Sequence, residues 1–169
     1  MGFTLILVDE EGAYFSSNKS PRRKLEPGIY SLANASLDTP WPKLVYGKDA
    51  FRYILNEYYP TAENQHQEED ELFHQLRQKV LNDHTVFPHP LPGIHDAHTE
   101  IMLSSILIEP YKWRDYGFYG TRMQTLFVIR GDGSVRVQEH SLDTLSPVKD
   151  WRGIWSKVQF EVSLRMSTL

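Results

Sequence analysis

The chain has 169 residues, enough for a single domain with a sizeable core. With 40% apolar and 24% charged residues it reads as soluble and globular, which excludes disordered and fibrous classes. Its net charge of -4, with 18 dispersed Lys and Arg, disfavours nucleic-acid binding; the one dense basic patch, Arg22, Arg23 and Lys24 with Lys19, is read as a solvated loop.

The opening residues "MGFTLILVDEE" lack the basic region and length of a signal peptide. No apolar stretch approaches the roughly 20 residues of a membrane span, so a cytoplasmic setting is expected. Residues 3–8 are apolar almost without a break, and residues 13–17 follow after "DEEG". That pattern predicts a β-hairpin whose first strand is buried on both faces. "PRRKLEPG" reads as a loop closed by Pro27-Gly28, and "IYSLAN" as a third strand over 29–33, ending at Asn34.

Thr39-Pro40 resembles a helix start, with Thr as N-cap and Pro at the first position. Trp41, Leu44, Val45, Phe51, Ile54, Leu55 and Tyr58 then keep helical spacing, which predicts a helix over 40–58. After the polar connector "PTAENQHQ", a second helix is expected over 69–82, with Leu72, Phe73, Leu76 and Val80 on one face. Its acidic opening "EEDE" suits the positive end of the helix dipole. The histidine- and proline-rich "HTVFPHPLPGIHDAHTE" should be irregular. Strands are expected over 101–108, 122–130, 134–140 and 157–164, the middle pair joined by the tight turn "RGDG". Hairpins at both ends with helices between them predict an α+β fold of antiparallel sheets with flanking helices, a single domain over 1–169.

His84, His89, His95 and His98 are the most tempting metal ligands, and His95 to His98 has the spacing of a chelating turn. They share no helix face and have no carboxylate cluster behind them, so a solvated loop is preferred and no metal site is assigned. A haem axial role for one of them stays open. Arg130-Gly131-Asp132 is better explained by the φ demands of a tight turn than by adhesion. The chain has no cysteine, which removes disulfides and thiol nucleophiles. It has no G-x-S-x-G elbow and no Gly-rich phosphate loop either. In "DYGFYGTRMQT", Arg122 follows Tyr116, Phe118 and Tyr119; it is either a surface residue or an anion or carbonyl binder turned into a cleft.

Two stretches, "LEPGIYSLANASLDTPWPKLVYGK" and "YGTRMQTLFVIRGDGSV", closely resemble the NRDE family, also called the transport-and-Golgi-organisation family. "GFTLILVD", "YFSSNKS" and the closing "KVQFEVSL" extend the resemblance over nearly all of the chain. It implies an N-terminal-nucleophile-hydrolase-like αββα sandwich. Family members begin with a Cys after the initiator Met and continue into Asn-Arg-Asp-Glu. Neither feature is present here, so the chain is expected to be the C-terminal portion of such a domain, an incomplete sandwich whose exposed sheet edge is paired by a missing N-terminal segment or by a homodimer.

By the resemblance, Asn34 and Arg122 look like the oxyanion-stabilising Asn and the Arg beside the nucleophile, supporting roles without a catalyst. Asp38 and Thr39 would then cap the following helix, and Trp41 would seal it against the sheet. The resemblance implies a non-enzymatic binding and trafficking protein, with haem as a possible ligand and Asn34, Trp41, Tyr119 and Arg122 as contacts. The alternative it implies is an amide or thioester hydrolase whose Cys-bearing half lies outside this chain.

Overall fold

A computed structural model describes residues 3–9, 11–33, 36–59, 65–91, 93, 95–112, 117–142 and 154–164. In chain order the elements are β1 (Thr4–Asp9), β2 (Gly12–Ser17), β3 (Ser20–Leu25), α1 (Pro42–Tyr58) and α2 (Gln65–Leu76), which runs into a π-helical turn, Arg77–Leu81. They continue with α3 (Ala97–Met102), β4 (Tyr111–Lys112), β5 (Phe118–Tyr119), β6 (Met123–Ile129), β7 (Ser134–Leu142) and β8 (Trp155–Ser163). Every strand pairing is antiparallel, in sheets ordered β1-β2-β3, β4-β5 and β6-β7-β8. The α+β class is therefore as expected. The chain divides into two units, Met1–Tyr58 with Val86–Ser104, and Tyr59–Thr85 with Ser105–Leu169.

In the first unit the β1–β2 hairpin forms as predicted, with Ile6 opposite Phe15 and Val8 opposite Ala13. The expected burial of β1 on both faces does not occur: all six of its residues are exposed. Among the described residues the strand is a sheet edge with β2 as its one neighbour, and its side chains have no second layer over them. The basic "PRRK" is not a loop but most of β3. Pro21 is tolerated there because β3 is also an edge. The guanidinium of Arg22 lies 4.0 Å from the ring centre of Tyr14, and that of Arg23 lies 5.7 Å from Phe15, so the cations are drawn onto the aromatic rings of β2.

Residues 29–33 are not a strand. The N–H of Ser31 donates to the Asp38 carboxylate at 2.9 Å, and its carbonyl accepts from the Asp38 N–H at 2.9 Å. Both backbone groups of Ser31 are thereby spent within a short loop instead of on a ladder. Phe15, Leu25 and Leu37 form the buried cluster of this unit, with Ala13, Tyr30 and Leu32 packed on it. The apolar run at 101–108 is likewise not a strand. Asp96 caps α3, accepting from the N–H of Thr99 at 3.0 Å and from its hydroxyl at 2.8 Å. The buried Glu100 carboxylate accepts from the N–H groups of Gly93 and His95. A short apolar run does not announce its own period; here its first two residues close the capped helix and 103–108 are irregular.

In the second unit α2 begins four residues before its expected start, and Leu72, Phe73, Leu76 and Val80 are buried on the predicted face. Glu69 is buried with them, 1% exposed, so "EEDE" does more than meet the helix dipole. Its carboxylate accepts from Arg130 Nε at 2.8 Å and lies 3.4 Å from Arg136 Nη1, while Arg136 Nη2 donates to Asp70. These contacts fasten α2 to the β6–β8 sheet. The β7 residues Arg136, Gln138 and His140, all buried, alternate along one face with Gln124 of β6. The opposite face is apolar: Phe127, Val137 and Phe160 sit side by side across three strands, with Phe127 59% and Phe160 48% exposed. The RGDG turn closes β6–β7 as expected, with Gly133 at φ 80° and Asp132 accepting from the Ser134 N–H. Arg130 is engaged with Glu69, Ser134 and Glu161, which removes it from any adhesion role.

Replacing Glu69 with Ala leaves two buried guanidinium groups without their shared carboxylate and should cost about 3–5 kcal/mol in urea unfolding. Stability should also fall with acid in two stages. Burial, helped by the charges of Arg77 and Lys157, pushes the His140 imidazole below its ordinary 6.5. The unfolded chain then takes up the proton first, and stability is lost as pH drops below about 6.5. The Arg130 guanidinium holds Glu69 below the usual carboxylate range, so its stabilisation is present above about 4.5 and lost as pH falls further. His140→Gln should remove the first stage and leave the second.

Candidate functional site

Of the four residues expected at a site, Asn34 lies outside the described residues. Trp41 belongs to the first unit, while Tyr119 and Arg122 belong to the second. Tyr119 lies in β5, and Arg122 stands three residues further on, just ahead of β6.

The corner around Trp41 is held by Asp38. That residue has φ 57°, a left-handed conformation that Asp tolerates better than most side chains. Its Oδ1 accepts from the Ser31 N–H, from the Ser31 hydroxyl at 3.2 Å and from Lys48 Nζ at 2.8 Å. The hydrogen bond from Lys48 holds its carboxyl below the usual range. Asp38 and Thr39 do not cap the helix as expected: the Thr39 hydroxyl donates to the Ser36 carbonyl at 2.7 Å. The helix begins instead at Pro42, and the half-buried Trp41 stands at the capping position, its carbonyl accepting from Leu44 and Val45. Pro at the first position is right in kind but two residues later, because Asp38 spends its oxygen on closing the loop.

The "YGTR" stretch is fastened to residues 108–110. The Thr121 N–H donates to the Ile108 carbonyl at 2.8 Å, and the Ile108 N–H donates to the Thr121 hydroxyl at 3.0 Å. A Cβ on Gly120 would lie 2.8 Å from Pro110 Cα, so only glycine allows the two backbones to approach. Tyr119 is exposed, its ring 5.9 Å from that of Tyr111. Arg122 is exposed, and its carbonyl accepts from the Leu142 N–H.

Beside this run is a cleft of about 400 Å³. Its polar wall is Arg77, Gln78, Asn82 and Thr121; Leu107, Pro110, Leu142 and Trp155 supply the apolar wall. His84 also reaches it, with Nδ1 3.1 Å from Glu109. Burial lowers the Arg77 pKa, and its guanidinium carbon lies 5.8 Å from the Trp155 ring centre. Sequence reasoning missed these residues. The one signal was Arg77 itself, placed among the apolar positions of the second helix.

The four histidines of the 84–98 segment are exposed. Among the described residues no group of three or more His, Cys, Asp or Glu is placed to hold a metal ion.

Two substitutions separate architecture from chemistry here. Asp38→Ala should destabilise by about 2 kcal/mol, through lost charge-assisted bonds and a non-glycine left-handed residue, while Asp38→Asn should cost less. Gly120→Ala should cost about 1–3 kcal/mol by forcing the 108–110 backbone away. Thermal unfolding measures both.

The chain matches the family described as Transport and Golgi organisation 2 over residues 1–144. It is 30% identical over 156 residues to the Transport and Golgi organization protein 2 homolog of Bos taurus, covering 88% of this chain and 53% of that protein. The Homo sapiens homolog is 30% identical over 151 residues, covering 83% and 51%, and the Mus musculus homolog is 28% identical over 148. The chain thus spans about half the length of these relatives. With the family match covering most of the chain and reaching into both units, this protein belongs to the Transport and Golgi organisation 2 family.

Proposed function

We propose that the chain is a non-enzymatic binding and trafficking protein acting in the cytoplasm, with haem or a similar amphipathic small molecule as its cargo. The observation that carries this reading is the exposed run at the start of β6. Phe118, Tyr119 and Met123 present apolar surface around the exposed Arg122, in a chain of a family named for transport. A guanidinium pairs well with a carboxylate or propionate, and aromatic rings pack on a flat apolar plane. Asn34 and Trp41 join the candidate contacts on the family resemblance alone.

The chain is also read as the C-terminal portion of a single αββα domain. Two features support this: β1 is an apolar edge, and the Phe127–Val137–Phe160 face of the β6–β8 sheet is exposed. Apolar sheet faces of two-layer sandwiches pack against a second sheet, and natural proteins cover or pair such edges. The proposed partner is the N-terminal segment of the domain, supplied separately, or a second copy of the chain pairing along β1.

Haemin titration should give a Soret shift that weakens in Arg122→Ala; no shift, or an equal shift in the variant, overturns the cargo. Light scattering of a stable monomer would count against the paired edge. The purified chain, without a thiol, should not turn over activated amides or thioesters. Hydrolysis by it would replace the binding reading with the hydrolase one.

A further inference from the structure

We propose that the cleft beside the π-helical turn of the second unit binds a small organic monocarboxylate, with Arg77 taking the carboxylate and Trp155 flanking its apolar part. The inference does not rest on the trafficking reading, which concerns Tyr119 and Arg122; failure of haemin to bind leaves it standing.

The turn itself is the first observation. The Asn82 N–H donates to the Arg77 carbonyl at 2.9 Å, the bond between residues five apart that defines a π-turn. Such turns are rare and recur at functional sites. Here Arg77, Gln78 and Asn82 all line the same cleft.

The second observation is the state of Arg77. Its Nε is buried with no hydrogen-bond partner, and no carboxylate of the described residues pairs with the guanidinium. A buried donor without an acceptor is costly, and a cation drawn from water without a counter-charge more so. Both costs are removed by an anion that accepts from Nε and a terminal nitrogen together, the paired geometry that a carboxylate offers a guanidinium.

The remaining lining sets the ligand class. Among the described residues that line it Arg77 is the single permanent cation, and His84 is paired with the Glu109 carboxylate. One unit of negative charge is matched; a phosphate with nearly two is not. Leu107, Pro110, Leu142 and Trp155 suit a compact apolar tail, and about 400 Å³ falls within the range of small-molecule sites.

The test titrates hexanoate, benzoate and inorganic phosphate into the whole chain, following the Arg77 Nε–H resonance by 15N NMR and binding by calorimetry. Hexanoate and benzoate should shift that resonance, and phosphate should not. Arg77→Gln should weaken carboxylate binding by at least about tenfold. Arg77→Lys should also weaken it, since an ammonium keeps the charge but loses the fork. Trp155→Leu should weaken benzoate more than hexanoate. An Arg77 resonance unmoved by either carboxylate overturns the proposal, as does binding that survives Arg77→Gln, or phosphate binding as well as hexanoate. Should Arg77→Gln fail to fold, the response of the unaltered chain's Arg77 resonance decides the matter alone.

Discussion

The carboxylate of Glu69, shared between Arg130 and Arg136, is the interaction on which the second unit depends. The sheet face beneath α2 is lined by Arg136, Gln138, His140 and Gln124, none of which would be buried without partners. Glu69 supplies the missing charge from the middle of an otherwise apolar helix stripe, and Asp70 takes the outer nitrogen of Arg136. Once α2 is held there, Phe73 and Leu76 are buried beside it and the helix can run on to the π-helical turn. Because a buried ion network works only when each partner is present, it fixes the seat of the helix more sharply than apolar contact would.

The residues that carry the family resemblance do structural work first. Asp38 closes the 31–38 loop on both backbone groups of Ser31 and anchors Lys48 of α1. Gly120 permits the close approach to Pro110, and Thr121 completes the backbone pairing with Ile108. A motif string can therefore be specific because it encodes a corner and a clamp. Arg122 and Tyr119 are both exposed.

The two sheet surfaces of the second unit divide its labour. The polar face is used internally, by α2. The apolar face, with Phe127, Val158, Phe160 and Val162 exposed, is larger than a scattering of surface side chains. The Arg77 cleft is of a third kind, a polar pocket with a desolvated cation and an aromatic wall.

The sequence by itself determined the α+β class, the β1–β2 and β6–β7 hairpins, β8, the two long helices and the family, because these rest on local periodicity, turn residues and contiguous motifs. It misplaced what depends on distant partners. "PRRK" became β3 through the rings of Tyr14 and Phe15, 29–33 lost its ladder to Asp38, and of 101–108 the first two residues close the helix that Asp96 caps while the rest is irregular. Apolar β1 stayed exposed because burial belongs to the neighbour that covers a strand and not to the strand alone. The same limit held at the candidate site. The candidates Tyr119 and Arg122 lie in one stretch of sequence, whereas Arg77, Asn82 and Trp155 meet only because a helix and a strand far apart in sequence fold onto one cleft. Periodicity specifies which face a side chain takes; only tertiary packing decides what it meets there.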